Sequence, residues 1–586
     1  MLKMNQEKID EKIKEPTISA CMIVKNEEKF LAQCLDSIKD VVDEIIVVDT
    51  GSTDSTMEIA KRYTDKVYFH EWQNSFSEAR NYSIQFAQCD WILQIDADEK
   101  FEQKDAHLLK AVLKDKRFDS IHVALLSDLP TGISKHYFQR VFRRGKGNYE
   151  GIVHNQLVCK GNSVFTEIRF YHYGYNLDPE QMQKKFKRTE ALLKKQVEDN
   201  PDYMFSWMNL VRIYKCQELW DDAIKTAEEV INTKREILDD TTYQMIAYDM
   251  AYSIFSKKEY NRAEKVCSDI LKSYPDNLDV SFLSGSISIC KKIYQKAIRD
   301  YMRYLRISEE NTDSTGFSNL IVDTYASQGQ AWNNIGSAYA ELFHPDKSIE
   351  AYRKAISYKN DPVYYENLAR VLFRQNRIDE MMEILEKADS LEIANNAMLA
   401  QLAEVYGKQG KINEAIGYLR RITEKDKTNV YYQVKLAGLL TLNDDLNKAQ
   451  AILQRMLDSG IKSPEILHNL AMVSMKLQEK TKVEEYMDKL AQMDDINSEQ
   501  YLSMGDDWVN MREHEIAINF YEKCLQSDQG NPSALINLST CYAELGQYES
   551  AIVGYRAALV QNPNDSTVIG NLLAMKKIIE AQHANL

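Results

Sequence analysis

The apolar residues of the first 180 positions come in short solid runs, not in a regular alternation. Residues 17–24, 44–48, 67–70 and 91–95 are each compact and mostly apolar, and each stops at polar residues. Runs of this length predict strands buried on both faces, as in a parallel sheet. Between them Phe30, Leu31, Leu35 and Ile38 recur at helical spacing, and residues 76–87 read as another helix. Strands that alternate with helices predict an α/β fold with a mostly parallel sheet. Further strands are expected over residues 120–126, 137–144 and 165–175, and a charged connector helix over 178–200.

From residue 204 the pattern changes period and repeats. Ala223, Ala263, Ala297, Ser348, Met381, Ala415, Ala449, Val483, Ala517 and Ala551 take equivalent places, the last six spaced by 34 residues each. Trp207, Leu210 and Tyr214 open the first unit; Trp332, Ile335, Gly336 and Tyr339 open another. Such a period predicts stacked helix pairs, with a small residue where two helices cross. The gap of 51 residues between Ala297 and Ser348 interrupts the series, with a polar stretch at 311–316 and an extra helix expected from Phe317. The expected organisation is a tail over 1–16, an α/β domain over 17–178, a connector over 179–203, about ten helix pairs over 204–565 and a capping helix over 566–586. The tyrosines and leucines of the repeats read as solenoid core, so any binding surface there is the inner face lined by first helices.

Composition narrows the class. A formal net charge of -15 argues against general nucleic-acid binding. Arg140, Arg143, Arg144 and Lys146 remain as a local basic cluster. The nine cysteines show no Cys-x-x-Cys spacing and read as reduced thiols of a cytoplasmic chain. The charged first residues (Lys8, Asp10, Glu11, Lys12) do not form a signal peptide, and no run of eighteen apolar residues predicts a transmembrane segment.

The chemistry gathers where strands end. The run Trp91-Ile92-Leu93-Gln94-Ile95 stops at Asp96-Ala97-Asp98-Glu99, and residues 44–48 stop at Asp49-Thr50-Gly51-Ser52-Thr53-Asp54. Open α/β sheets bind ligands at the carboxyl ends of their strands. A carboxylate at Asp49 or Asp96 can accept hydrogen bonds from a base or a ribose. Asp98 is the natural ligand for a divalent cation that holds a diphosphate. Arg80 can neutralise phosphate. The plainer readings are a turn or cap role for Asp49 and a surface ion pair for Arg80. Ser52, Thr53 or Asp54 can cap the following helix.

Taken together these stretches resemble family 2 glycosyltransferases. Ile18-Ser19-Ala20-Cys21-Met22-Ile23-Val24-Lys25-Asn26-Glu27-Glu28 looks like the family's opening, the run 43–56 its second motif, and Ala79-Arg80-Asn81 and Asp96-Ala97-Asp98-Glu99 complete the set in order. The repeats are similar to tetratricopeptide repeats. The resemblance implies a GT-A fold followed by an all-α superhelix, a nucleotide-diphosphate sugar donor such as a UDP-sugar, Mn or Mg, and inversion at the anomeric carbon. It places Val24 and Glu27 near the donor base, Asp49 at base or ribose, Arg80 at the nucleotide, and Asp96 and Ala97 at the donor, with Asp96 also near the metal. It makes Asp98 the principal metal ligand and His172, late in the domain, a further one. Arg140-Val141-Phe142-Arg143 and the Gly151-Ile152-Val153-His154 run resemble the acceptor half of a subgroup that includes lipopolysaccharide-core and peptide glycosyltransferases. That subgroup has His-Glu where this chain has His154-Asn155.

An inverting displacement needs a base, and the candidates are His154, Glu150, Asp128 and Glu99. The leading expectation is a glycosyltransferase whose solenoid recruits a protein or peptide acceptor, of flagellin or bacteriocin type, with a homodimer compatible with the repeats. The alternatives are transfer to a glycolipid or polysaccharide, and a binding scaffold with an inactive transferase domain. A nucleotidyltransferase would want a glycine-rich phosphate loop after the first strand, and none follows it.

Overall fold

The computed structural model describes residues 15–129, 132–151, 156–173, 179–310, 322–493 and 496–584. The chain forms two compact units, residues 1–381 and 382–586. The first begins with β1 (Ile18–Val24), α1 (Leu31–Ile38), β2 (Glu44–Asp49), α2 (Thr56–Ala60), β3 (Val67–Phe69), α3 (Phe76–Ile84) and β4 (Trp91–Gln94). It continues with β5 (Glu99–Phe101), α4 (Ala106–Leu113), β6 (Ser120–Leu129), β7 (Gly132–Arg143), β8 (Gly147–Glu150), β9 (Gln156–Cys159), β10 (Ser163–His172) and α5 (Pro179–Asp199).

Eight strands make one sheet in the order β3-β2-β1-β4-β7-β6-β10-β5, and β8 pairs with β9 in a ribbon. The four strands of the first half are mutually parallel, and β10 runs parallel to β6. β7 is antiparallel to both its neighbours, β4 and β6, and β5 lies antiparallel on β10. The sheet is therefore mostly parallel with an antiparallel insertion. Its solid apolar runs follow from burial on both faces. Met22, Trp91, Leu93, Ile95 and Ala97 pack with Leu35, Ile38 and Leu109 on one side. Cys21, Ile46, Ile92 and Phe142 pack with Ala87 and Tyr149 on the other. From β1 the chain winds outward through β2 and β3, then returns to place β4 on the opposite side of β1. This reversal opens the crevice at the strand ends where such folds bind ligands.

Helix pairs follow from Met204. The ten repeat positions from Ala223 to Ala551 all fall on second helices and are all buried. Tyrosine rings fill the space left by glycines on first helices: a Cβ at Gly336 would stand 2.8 Å from Tyr352, and one at Gly505 2.5 Å from Tyr521. The final helix, Ser566–Ala584, packs Val568 and Leu572 against Ala551, Tyr555 and Ala558. The extra helix expected from Phe317 begins outside the described residues. The first helix pairs belong to the same compact unit as the sheet, so the boundary of compactness is not the one that composition suggests.

Candidate functional site

The loop after β1 and the loop after β2 are stitched together by their own polar groups. Asn26, at φ 57, donates its N–H to Ser52 Oγ (2.9 Å) and accepts Thr53 N–H (2.7 Å). Glu27 N–H donates to Thr56 Oγ1 (2.7 Å), Glu28 N–H to Asp54 (3.2 Å), and Ser55 N–H to Glu28 (3.2 Å). Ser52 and Thr53 thus serve the facing loop and do not cap α2, whose N-cap is Ser55. Asp54 accepts both Thr56 N–H and Glu28 N–H, joining the start of α2 to that loop. Asp49 is buried and its carboxylate accepts Gly51 and Ser52 N–H at 3.1 Å, which folds the turn with Gly51 at φ 107. Val24 accepts Thr50 N–H and Oγ1 through its carbonyl. Val24 and Asp49 are register partners, so these loops share one edge.

Asp96 and Asp98 stand at the same edge, just past β4. Both Asp96 oxygens accept from arginines, Oδ1 from Arg80 (2.5 Å) and Oδ2 from Arg140 (3.0 Å). Burial works against its charge, yet the two guanidiniums hold its carboxyl well below the usual range. Arg140 also bonds Glu99, and Glu99 accepts the Asp96 N–H (3.1 Å). Glu99 is 2% exposed, and burial raises its pKa. Its carboxylate buttresses Asp96, holding the Asp96 N–H and the Arg140 guanidinium. The Tyr149 ring lies under Arg80 at 5.3 Å, and the Tyr149 backbone takes both amide groups of Asn81 (2.9 and 2.8 Å). The Arg80-Asn81 pair therefore works as a unit, one side chain toward Asp96 and the next anchoring β8.

Asp98 meets His172 at the end of β10, Oδ2 to Nε2 3.3 Å, and Tyr173 N–H donates to the Asp98 carbonyl (2.8 Å). His172 Nδ1 is 3.5 Å from Ser127 Oγ, its neighbour across β6. Burial alone would lower the His172 pKa, but its bond with Asp98 raises it; burial would raise Asp98, but His172 lowers it. Glu27 is pushed up to about 7 by burial and the nearby Asp98, with Lys185 of α5 pulling the other way. Lys185 also lowers the pKa of both Asp98 and His172.

Among the described residues no group of three or more His, Cys, Asp or Glu is placed to hold a metal. The Asp98–His172 pair offers one oxygen from the turn before β5 and one nitrogen from the end of β10. Two such ligands fit a cation that completes its shell with phosphate oxygens and water, as Mg and Mn do in phosphate sites. Ala97 is buried between the two aspartates.

Of the other base candidates, Glu150 and Asp128 fall among the described residues. Glu150 ends β8 and helps to line an open groove of about 650 Å³, with Ser75, Ser77, Glu78, Asn81 and Tyr149 among its other walls. Asp128 pairs with Ile133 near the tip of the β6–β7 hairpin. His154 and Asn155 lie outside the described residues. The basic cluster does not form a patch: Arg140 is buried at Asp96, Arg143 covers Trp91 (4.4 Å) and bonds the Phe118 carbonyl, and Arg144 bonds the Cys89 carbonyl. Arg140, Tyr149 and Ser127 have roles that spacing did not reveal. The signals available for Arg140 were its place in the basic cluster and in the Arg140-Val141-Phe142-Arg143 run.

Residues 19–166 match the family model described as Glycosyl transferase family 2. Residues 329–362, 363–392 and 512–575 match tetratricopeptide repeat models. The chain is 28% identical over 367 residues to the SPbeta prophage-derived glycosyltransferase SunS of Bacillus subtilis, covering 58% of this chain and 85% of that one. It is 30% identical over 161 residues to the lipopolysaccharide core biosynthesis glycosyltransferase LpsC of Rhizobium meliloti, covering 25% of this chain and 58% of that one. Among solved structures, a tetratricopeptide repeat protein from Parabacteroides merdae aligns with a TM-score of 0.35 at 14% identity, over 42% of this chain and 98% of that one. With the crevice, its acidic pair and the repeats in view, residues 19–166 are a glycosyl transferase family 2 domain, and tetratricopeptide repeats follow it.

Proposed function

We propose that the protein moves a sugar from a nucleotide-diphosphate donor, a UDP-sugar, to a hydroxyl or thiol of a protein or peptide acceptor, with inversion and with Mn or Mg. The observation that carries this reading is the convergence of Glu27, Asp49, Arg80, Asp96 and Asp98 at the carboxyl ends of β1, β2 and β4. Asp49 would accept from the base or ribose, as its place at the end of β2 allows. Asp98 and His172 would hold the cation, which when bound neutralises charge on the departing diphosphate. Arg80 and Arg140 keep Asp96 ionised and fixed, so the pocket wall needs no rearrangement when the donor arrives. An acceptor thiol needs less help from a base than a hydroxyl, because thiols ionise nearer neutral pH. The repeats support a proteinaceous acceptor by architecture. The match to a lipopolysaccharide-core enzyme supports a second reading, transfer to a glycolipid.

The test is release of nucleoside diphosphate from a panel of nucleotide sugars with Mn, read beside intact-mass analysis of co-expressed neighbouring proteins. Transfer of a hexose or N-acetylhexosamine mass to a protein is expected, and Asp98→Ala should abolish metal-dependent release. Turnover by Asp98→Ala at the wild-type rate would sink the metal assignment. Labelling of lipid acceptors with no protein adduct would move the conclusion to the second reading.

A further inference from the structure

Where the repeat period breaks, between the helices Tyr294–Glu310 and Gln328–Glu341, the returning chain is threaded against three earlier first helices. Val322 forms an antiparallel bridge with Lys135 of β7, each N–H donating to the other carbonyl at 3.0 Å. Asp323 accepts from Arg212 (2.8 Å) and Lys215 (2.7 Å), both on the helix Met204–Cys216. Asp249, on the helix Asp240–Ser256, shares the same two cations. Asp279, on the helix Leu278–Cys290, accepts Asp323 N–H (2.9 Å), Thr324 N–H (2.8 Å) and Thr324 Oγ1 (2.6 Å). Tyr304 donates its hydroxyl to the Thr324 carbonyl (2.6 Å). The Lys135 ammonium sits 4.7 Å over the Tyr325 ring. Val322, Asp323 and Thr324 are each less than a tenth exposed.

Two largely covered cations meet two carboxylates here, and a backbone with no helix or strand of its own finds partners for its polar groups. A loop that only restored the repeat period would need none of this, least of all a bridge to the sheet. The bridge lands at an informative place. Lys135 lies opposite Leu126 in β6, and the adjacent pair is Ser134–Ser127. Ser127 touches His172, which pairs with Asp98.

We propose that the segment around Val322 and Asp323 is a positioning strap: anchored by Arg212, Lys215 and Asp279, it fixes β7 and through it the Ser127–His172–Asp98 line at the donor site. The strap makes the first three helix pairs part of the catalytic framework, and their inner face is filled by the protein's own chain. This rests on the reading of Asp98 and His172 as cation ligands.

The experiment uses the full chain and three variants: Val322→Pro, which removes one donor of the bridge; Asp323→Ala, which removes the anchor; and Asp323→Glu, which restores a carboxylate. Hydrogen exchange is read over residues 132–143 and 163–172, together with the Mn concentration that half-saturates donor turnover. Val322→Pro and Asp323→Ala should speed exchange in both stretches and raise that concentration about tenfold or more, with thermal transitions retained; Asp323→Glu should return both toward wild type. Faster exchange confined to the strap, with wild-type metal dependence, overturns the proposal. If the wild-type chain turns over no donor, the functional reading fails, and exchange over 163–172 still decides the strap: unchanged exchange there overturns it.

Discussion

At the scale of single residues, the most consequential side chain is one that spacing did not single out as a ligand. Arg140 is 6% exposed and compensates two carboxylates at once, Asp96 and Glu99. Replacing it by Met would leave the buried Glu99 without its arginine and Asp96 with Arg80 alone. Such a change is expected to cost about 3–5 kcal/mol, read as a lowered urea midpoint for the unit of residues 1–381. A shift under about 1 kcal/mol would mean that water reaches Glu99. Asp323 offers a pH test. Burial raises its pKa, but Arg212 and Lys215 outweigh burial and bring it to about 2. That is below the ordinary value of about 3.9, so the stability it contributes is full above about pH 4 and is lost as the pH falls toward 2. Asp323→Asn should therefore be less stable than wild type at pH 7, by about 2–3 kcal/mol. The gap should close on acidification from pH 4 to 2, followed by denaturant midpoints at each pH. A gap that stays constant across that range would show that the carboxylate is not held by the two cations.

At the scale of elements, the repeats depend on size complementarity across each helix pair. Alanine ordinarily favours a helix over glycine by about 1 kcal/mol. At Gly336 the added Cβ would stand 2.8 Å from the Tyr352 ring, which is itself buried and hydrogen-bonded to Ser337. Overpacking of this kind costs about 1–3 kcal/mol, so the clash should win and Gly336→Ala should lower the thermal midpoint. A raised midpoint would show that the ring has room to move. The same complementarity made the repeats readable, because a small residue at each crossing leaves a mark at a fixed interval. The parallel half of the sheet was readable for a related reason: strands buried on both faces are written as solid apolar runs. β5, β8 and β9 escaped notice. They are three or four residues long, and Glu99–Phe101 joins the sheet only because β10 offers it an edge.

At the scale of the whole chain, compactness does not follow the change in hydrophobic period. The sheet and the helix pairs before residue 381 form one unit, and residues 322–324 tie β7 to the helices that carry Arg212, Lys215 and Asp279. A chain cut after residue 203 would lose the strap and expose the apolar face that Leu193 and Val197 of α5 present to Trp207, Met208 and Val211. A chain ending after residue 392 keeps all of these. The longer form is therefore expected to retain donor turnover and the shorter form to lose it, measured as nucleoside diphosphate release and checked by the cooperativity of unfolding. Equal turnover by both would show that the chain up to residue 203 suffices.

The sequence by itself determined the sheet-then-solenoid order, the acidic ends of β2 and β4, and the period of the repeats. Each is a local pattern, because burial on one or two faces and the special conformations of turns leave their marks in neighbouring residues. Only the tertiary structure decided which charges share a site. Arg140 reaches Asp96 across 44 residues, His172 reaches Asp98 across strands, and Asp323 reaches Lys215 across 108. Such pairings carry no local signature, since a buried charge finds its partner wherever the fold brings one.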